Sequence, residues 1–390
     1  MPKPIPMPDT ILWSDAFLDQ MRLQTDPIAD EIVSRIKDRY GPQEAKRLFE
    51  LLIRNIELPL EELPPEVEEE YLSETDRLPD WVDPEKVELA HALFRDHGPK
   101  FLVFLYYKSL PLLYCCKNGA QVLAQTSRLS HNTEDITIFT RRIAETGQFL
   151  IEVMTEGGLQ PGGRGIEAIQ KVRLIHAAIR NFIPAERWDT LQLGLPINQE
   201  DMAVTLMTFS VAVTDALQQC GVPESEERLE AYVHCWAGIG ALLGIDHRLL
   251  PENLSQAREL LATILRRQSG SSESGRLLAE ALVQFAARTL PNERLDDAPR
   301  TLIRYLIGPE RAQMLGITAP AGCLPAAAPV FLKAYFRKGE ALEDRLEVPL
   351  AAFIDAFSLR LARAMVGYFD TYKNRQFDIP GKMQRAWFEK

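Results

Sequence analysis

The sequence predicts an all-α protein, and three observations carry that reading. Apolar residues return every three or four positions along almost the whole 390-residue chain, the spacing of one helix face. Alternating β-branched runs bounded by turn residues are nearly absent. Helix starts are marked by capping residues or first-turn prolines, as at Asp26-Pro27, Pro42 and Asp83-Pro84. No fixed-period repeat accompanies the helices, which argues against a solenoid.

In chain order, helices are expected over residues 26–40, 42–57, 84–96, 100–116, 133–154, 165–181, 199–220, 225–243, 253–267, 273–289, 296–307, 325–336 and 349–372. Residues 1–57 form an N-terminal helical extension. Residues 58–86, ending in the acidic, proline-rich stretch PPEVEEEYLSETDRLPDWVDPEK, form a connector that reads as a linker or as an ordered wrap. A core follows over 87–320, and 321–390 adds C-terminal helices and an irregular basic tail. The polar run RRQSGSSESGR (266–276) reads as a flexible loop.

Composition limits what the chain does. A net charge of −11 argues against general nucleic-acid binding, which needs basic surface. The five cysteines, Cys115, Cys116, Cys220, Cys235 and Cys323, show no CxxC spacing, so reduced thiols are expected, with the vicinal pair in the core. The start MPKPIPMPDTILWSDAF lacks a basic segment followed by an apolar one, so no secretory leader and a cytoplasmic location are expected. The most apolar run, FLVFLYYKSLPLLYCC (101–116), is shorter than the roughly 20 residues of a spanning helix. It suits a buried helix pair or a surface in peripheral contact with a membrane.

The stretch GIEAIQKVRLIHAAIR (165–180) carries the most chemistry. Arg173 and Arg180 lie three before and four after His176, so a helix brings all three to one face with Ile169, Val172 and Ile179. One reading is a core histidine whose neighbouring arginines pair with acidic residues elsewhere. The other is haem: the imidazole offers a nitrogen to iron, and two guanidiniums suit the two carboxylates of a porphyrin. The glycine-rich GGLQPGGRG that opens this helix reads as a helix–helix turn, because it lacks the GK[ST] of a phosphate loop. On the preceding helix, ITIFTRRIAETGQFLIEVM, the apolar face includes Arg142 and Thr146, with Glu145 adjacent. An Arg142–Glu145 pair at the core edge would also account for these. No HExxH, HxxxH or His/Cys zinc pattern and no GxSxG elbow occurs.

Five ordered pieces, RRIAETGQFLIEVM, GGLQPGG, KVRLIHAAIR, LPINQEDMAVTLMTFS and YVHCWAGIGALLGIDHRLLP, resemble the haem-dependent oxygenases that include latex-clearing rubber oxygenases and the MpaB-type enzyme of mycophenolate biosynthesis. The resemblance implies a single all-α domain with a globin-like core and further helices at both ends, holding haem b. It implies His176 as the proximal iron ligand, Arg173 and Arg180 on the propionate side, and Arg142 and Thr146 on the distal side. Glu145 departs from the pattern, because rubber-cleaving members carry a lysine there that can reach iron. That departure speaks against rubber cleavage and leaves Glu145 to shuttle a proton or orient substrate. The family's distal carboxylate has no counterpart, since the ungapped register places Thr126 there.

The function expected is an oxidoreductase using O2 on an apolar, olefinic or lipid-like molecule. A haem sensor or carrier without turnover is the alternative, and a metal-free helical interaction module is a third reading. His234 is expected to pack near the pocket or to serve as a second ligand. His91, His97, His131 and His247 are expected near helix ends or loops, in surface or capping roles.

Overall fold

The computed structural model describes residues 12–54, 64, 66–125, 136–183, 187–289, 298–318 and 380–388. The described part is helical, and its only β pairing is an isolated bridge between Cys116 and Ser269. His131, Thr126 and the helices expected over 325–336 and 349–372 lie outside the described residues.

The N-terminal part forms three helices: α1 (Asp15–Met21), α2 (Pro27–Tyr40) and α3 (Pro42–Arg54). Sequence periodicity missed α1, which is only seven residues long and starts where the Ser14 side chain accepts from the N–H of Phe17. Asp26 caps α2, and Gly41 ends it at φ +85°. A π-helical turn (Glu66–Leu72) packs on α2, and the Tyr71 hydroxyl donates to the carbonyl of Gln170 at 2.8 Å. This part of the connector is therefore an ordered wrap.

The centre of the core is α4 (Pro84–Phe104), a π-helical segment (Leu105–Ser109) and α5 (Leu110–Cys115), followed by α6 (Gly119–Gln125). Two separate helices were expected here, yet α4 continues through Pro99. The ring of Trp387 lies against the Gly98 backbone, where any Cβ would collide with it. His91 and His97 are consequently buried mid-helix rather than placed at ends: His91 Nε2 lies 3.2 Å from the Val153 carbonyl, and His97 Nε2 lies 2.6 Å from Glu224 Oε1. His247 is exposed, as expected.

Next come α7 (Ile136–Val153), α8 (Arg164–Phe182), α9 (Thr190–Leu193), α10 (Gln199–Phe209), α11 (Val211–Gln219), α12 (Glu226–Leu242) and α13 (Leu254–Gln268). One helix was expected over 199–220. It breaks at Ser210 (φ −99°, ψ −92°), whose hydroxyl turns back to Leu206 O at 3.0 Å while Ser109 donates to the Thr208 carbonyl. α12 packs along α4. His234 on α12 accepts the N–H of Asp83, the N-cap of α4, at 2.9 Å and meets Trp81 edge-on. That contact gives His234 a capping role at the start of α4 through its Nε2.

The last described helices are α14 (Glu273–Thr289), α15 (Ala298–Ile307), α16 (Pro309–Met314) and α17 (Gly381–Phe388). The expected flexible loop over 266–276 is pinned instead, by Lys117 N–H to Gln268 O at 3.1 Å and Gly270 N–H to Cys115 O at 3.0 Å. The tail expected to be irregular contains α17. Met383 is buried, and Trp387 donates to Arg95 O at 3.0 Å, so an amphipathic turn docks on α4. A buried carboxylate, Glu200, ties α10 to Arg22, Arg267 and Gln268 at 2.7–3.0 Å. The four described cysteines are buried, and none of them forms a disulfide with another described cysteine.

Candidate functional site

α7 and α8 form a hairpin whose geometry follows from its glycines. Gly157 and Gly162 adopt φ of +83° and +70°, a region other residues enter at a cost. A Cβ on Gly163 or Gly165 would fall 2.6 and 2.7 Å from the Gly158 carbonyl oxygen. The turn's donors are spent internally: Gly158, Gly163 and Ile166 N–H bond to turn carbonyls, and Gly162 N–H bonds to Asp76. This is a helix–helix turn, and it fixes how α8 sits on α7.

Two faces of α8 differ. Leu174, Ala177 and Ala178 are buried against Ala29, Ile32, Phe49 and Tyr71. His176 lies beside that buried face, half-buried among the half-buried Val172, Ile175 and Ile179, and its Nδ1 is inaccessible to solvent. The imidazole therefore sits on a mostly apolar, incompletely covered stripe.

The flanking arginines hold α8 to the N-terminal helices. Arg173 donates from Nε and Nη2 to the two carboxylate oxygens of Asp26, the latter at 2.7 Å, and from Nη1 to Leu242 O at 3.1 Å. Burial works against its charge, but Asp26 overcomes that and raises its pKa above the usual arginine value. Gly244, at φ +79°, leaves room for this pair: a Cβ there would lie 2.6 Å from the Asp26 carboxylate. Arg180 donates from Nε to Asp30 at 2.7 Å and from Nη1 to Ile197 O at 3.3 Å. Its Nη2 is buried and makes no hydrogen bond among the described residues. Ile197 itself has φ +51°, an uncommon and strained conformation for a β-branched residue.

On α7, Glu145 and Thr146 are half-buried, and Arg142 precedes them by three and four positions on the same side. The side chain of Arg142 lies outside the described residues. Phe149, one turn further on, meets Phe209 and Trp236 with ring centroids 6.4 and 6.5 Å apart. These rings give that side of α7 an apolar wall.

Two polar residues of α7 escaped the sequence reading. Gln148 is buried at 5% exposure, and its Nε2 donates to Glu152 Oε1 at 2.7 Å. Burial raises the Glu152 pKa to about 7, against the lowering pull of Gln148, Lys171 and Arg164. Both lie on the Glu145 face, at +3 and +7, a period that would have flagged them.

Glu152 gives a pH-dependent stability. Its folded pKa lies above the ordinary 4.5, so the folded chain holds the proton longer than the unfolded one. The stability linked to that proton is fully present below about pH 4.5 and lost as pH rises through about 7. Glu152→Gln is expected to stabilise the protein at pH 8 by about 1–3 kcal/mol and far less at pH 5. Urea unfolding at both pH values checks this, and an equal effect at the two would contradict it.

Comparison with known proteins adds an independent line. The family model described as "ER-bound oxygenase mpaB/B'/Rubber oxygenase, catalytic domain" matches residues 119–336, more than half of the chain. A rubber oxygenase of Streptomyces sp. (strain K30) is 24% identical over 302 residues, 75% of this chain and 70% of that protein. The structure of latex clearing protein LCP in its closed state aligns with a TM-score of 0.69 at 21% identity, covering 88% of this chain and 91% of that one. At that identity the shared property is the helical fold.

Proposed function

This chain belongs to the mpaB/rubber oxygenase family, and on that premise we propose that it is a haem-b-dependent oxygenase acting with O2 on an apolar, olefinic or lipid-like molecule. The observation that carries the reading is His176: an imidazole on the half-covered apolar stripe of α8, held by a hairpin that fixes the helix.

The residues present fit a haem with one change of emphasis. Among the described residues no three His, Cys, Asp or Glu side chains converge as a metal site, and a haem iron needs only one protein ligand, which His176 would supply. Arg180 keeps a buried donor, Nη2, for a propionate carboxylate. Arg173 has its donors committed to Asp26 and Leu242, so it would serve the cofactor by orienting α8.

Haem, when bound, would supply the iron that activates O2. Arg142 and Thr146 would donate hydrogen bonds to developing negative charge, and Glu145 would hold or move a proton at its carboxyl. Phe149, Phe209 and Trp236 would exclude water from that side. No helix among the described residues is long and apolar enough to cross a membrane.

O2 uptake by the purified protein with a panel of olefinic lipids and polyisoprene tests the reading. Uptake abolished by His176→Ala is expected. Haem binding with no uptake on any of them would favour a sensor or carrier.

Glu145→Lys probes the other side of the proposed haem. The new amine should produce a low-spin spectrum as it deprotonates toward pH of about 10, near the ordinary lysine pKa. Spectra unchanged over that range would mean residue 145 does not face the iron.

A further inference from the structure

α7 carries a polar line that its packing does not account for. Glu145, Gln148 and Glu152 follow one another at +3 and +4, so each side chain neighbours the next on one helix face. Gln148, more than nine-tenths buried, spends its amide N–H on Glu152 at 2.7 Å. Its Oε1 is buried and makes no hydrogen bond among the described residues. A buried carbonyl oxygen left without a donor costs about 1–3 kcal/mol, so it marks either a compensating ligand such as water or a functional need.

We propose that Gln148 and Glu152 form a proton-transfer track along α7, by which Glu152 exchanges protons with solvent and supplies or drains the carboxyl of Glu145. The proposal rests on the placement of Glu145 in the distal site of the preceding section. Glu152 is half-buried, so one end of the track reaches water. Gln148 is the fixed middle: its amide orients the Glu152 carboxyl, and in the track its Oε1 would accept from a water shared with Glu145. In one passage the Glu152 carboxylic acid gives its proton to that water, which gives a different proton to the Glu145 carboxylate. Solvent then reprotonates Glu152, so no net charge is left on the track.

Burial supports the role, since it brings the Glu152 pKa to about 7, where both protonation states are populated near neutral pH. The groups facing Glu152 from α8 are Lys171, Arg164 and Glu167. From α4, His91 bonds to the carbonyl of the next residue, Val153, and burial lowers its pKa, so it stays neutral there. Salt bridging alone would have pulled the Glu152 pKa down.

Two measurements test the track. The first is infrared titration of 13C-glutamate-labelled protein, which follows the carboxyl directly and needs no turnover. A band titrating near 7 should vanish in Glu152→Gln, and its midpoint should move in Glu145→Gln and in Gln148→Leu. The second is the rate at which the ferric haem protein binds cyanide, which must lose its proton to a base. That rate should change with an inflection near 7 in the natural protein, lose the inflection and fall about tenfold or more in Glu152→Gln, and regain the inflection in Glu152→Asp.

A Glu152 titration indifferent to both Glu145→Gln and Gln148→Leu would overturn the track, as would an unaltered cyanide profile in Glu152→Gln. A protein that takes up no haem would overturn the function proposed above, while the infrared titration would still decide whether the three residues are coupled.

Discussion

Arg173→Ala is expected to cost about 3–5 kcal/mol of folding stability, the largest effect of any single polar substitution considered for this protein. The reason lies in what remains. Asp26 is 1% exposed, and it would keep a carboxylate in the protein interior with its bidentate partner gone. The same change removes the donor to Leu242 O and the cation over the Tyr71 ring, 5.9 Å away. Arg173→Lys should recover only part of the loss, since an ammonium cannot match both carboxylate oxygens at once. The double variant Arg173→Ala with Asp26→Ala should be more stable than Arg173→Ala alone, because it removes the stranded charge. Urea unfolding of the natural protein, Arg173→Ala, Asp26→Ala and the double variant closes the cycle. A loss below about 1 kcal/mol for Arg173→Ala, the range of exposed pairs, would show that the pair is not buried in solution.

His176→Ala should have the second large effect, on cofactor retention rather than on folding. Alanine fits a helix well, and its neighbours Ala177 and Ala178 already form the packed side of α8. The variant should therefore keep its far-ultraviolet circular dichroism and lose most of its Soret absorption. His234→Ala is the matched control. Its Nε2 accepts the Asp83 N–H at 2.9 Å, so it should lower stability while sparing the Soret band. The opposite pattern, band lost in His234→Ala and kept in His176→Ala, would exchange the two assignments.

What was legible in the sequence was whatever is encoded locally. The 3.6-residue period gave α8 to within a residue at each end, and Asp26, Ser225 and Asn253 mark their helix starts by capping them. Elements that depend on distant partners were not legible. Pro99 reads as a break, but α4 continues past it and packs along α12. The 266–276 run looks like a loop by composition, yet the backbone of residues 115–117 and the buried Glu200 pin it.

The site divides the same way. His176, Arg173 and Arg180 share a helix face by spacing, yet their partners Asp26 and Asp30 lie about 150 positions earlier, beyond any local pattern. Arg173 reads from sequence as a ligand contact or as half of a distant ion pair, and the structure makes it the latter, the clamp that seats α8. Gln148 and Glu152 were within reach, because the period from Glu145 continues through them. The apolar residues of α7 lie on the other stripe and carry the stronger periodic signal.

The central claim is that His176 holds a haem iron. Its most direct test is the visible spectrum and haem content of the full-length protein produced with ample haem supply. One haem b per chain, with a strong Soret band that shifts on reduction, is the predicted result; a colourless, folded protein that takes up no haem on titration would contradict it.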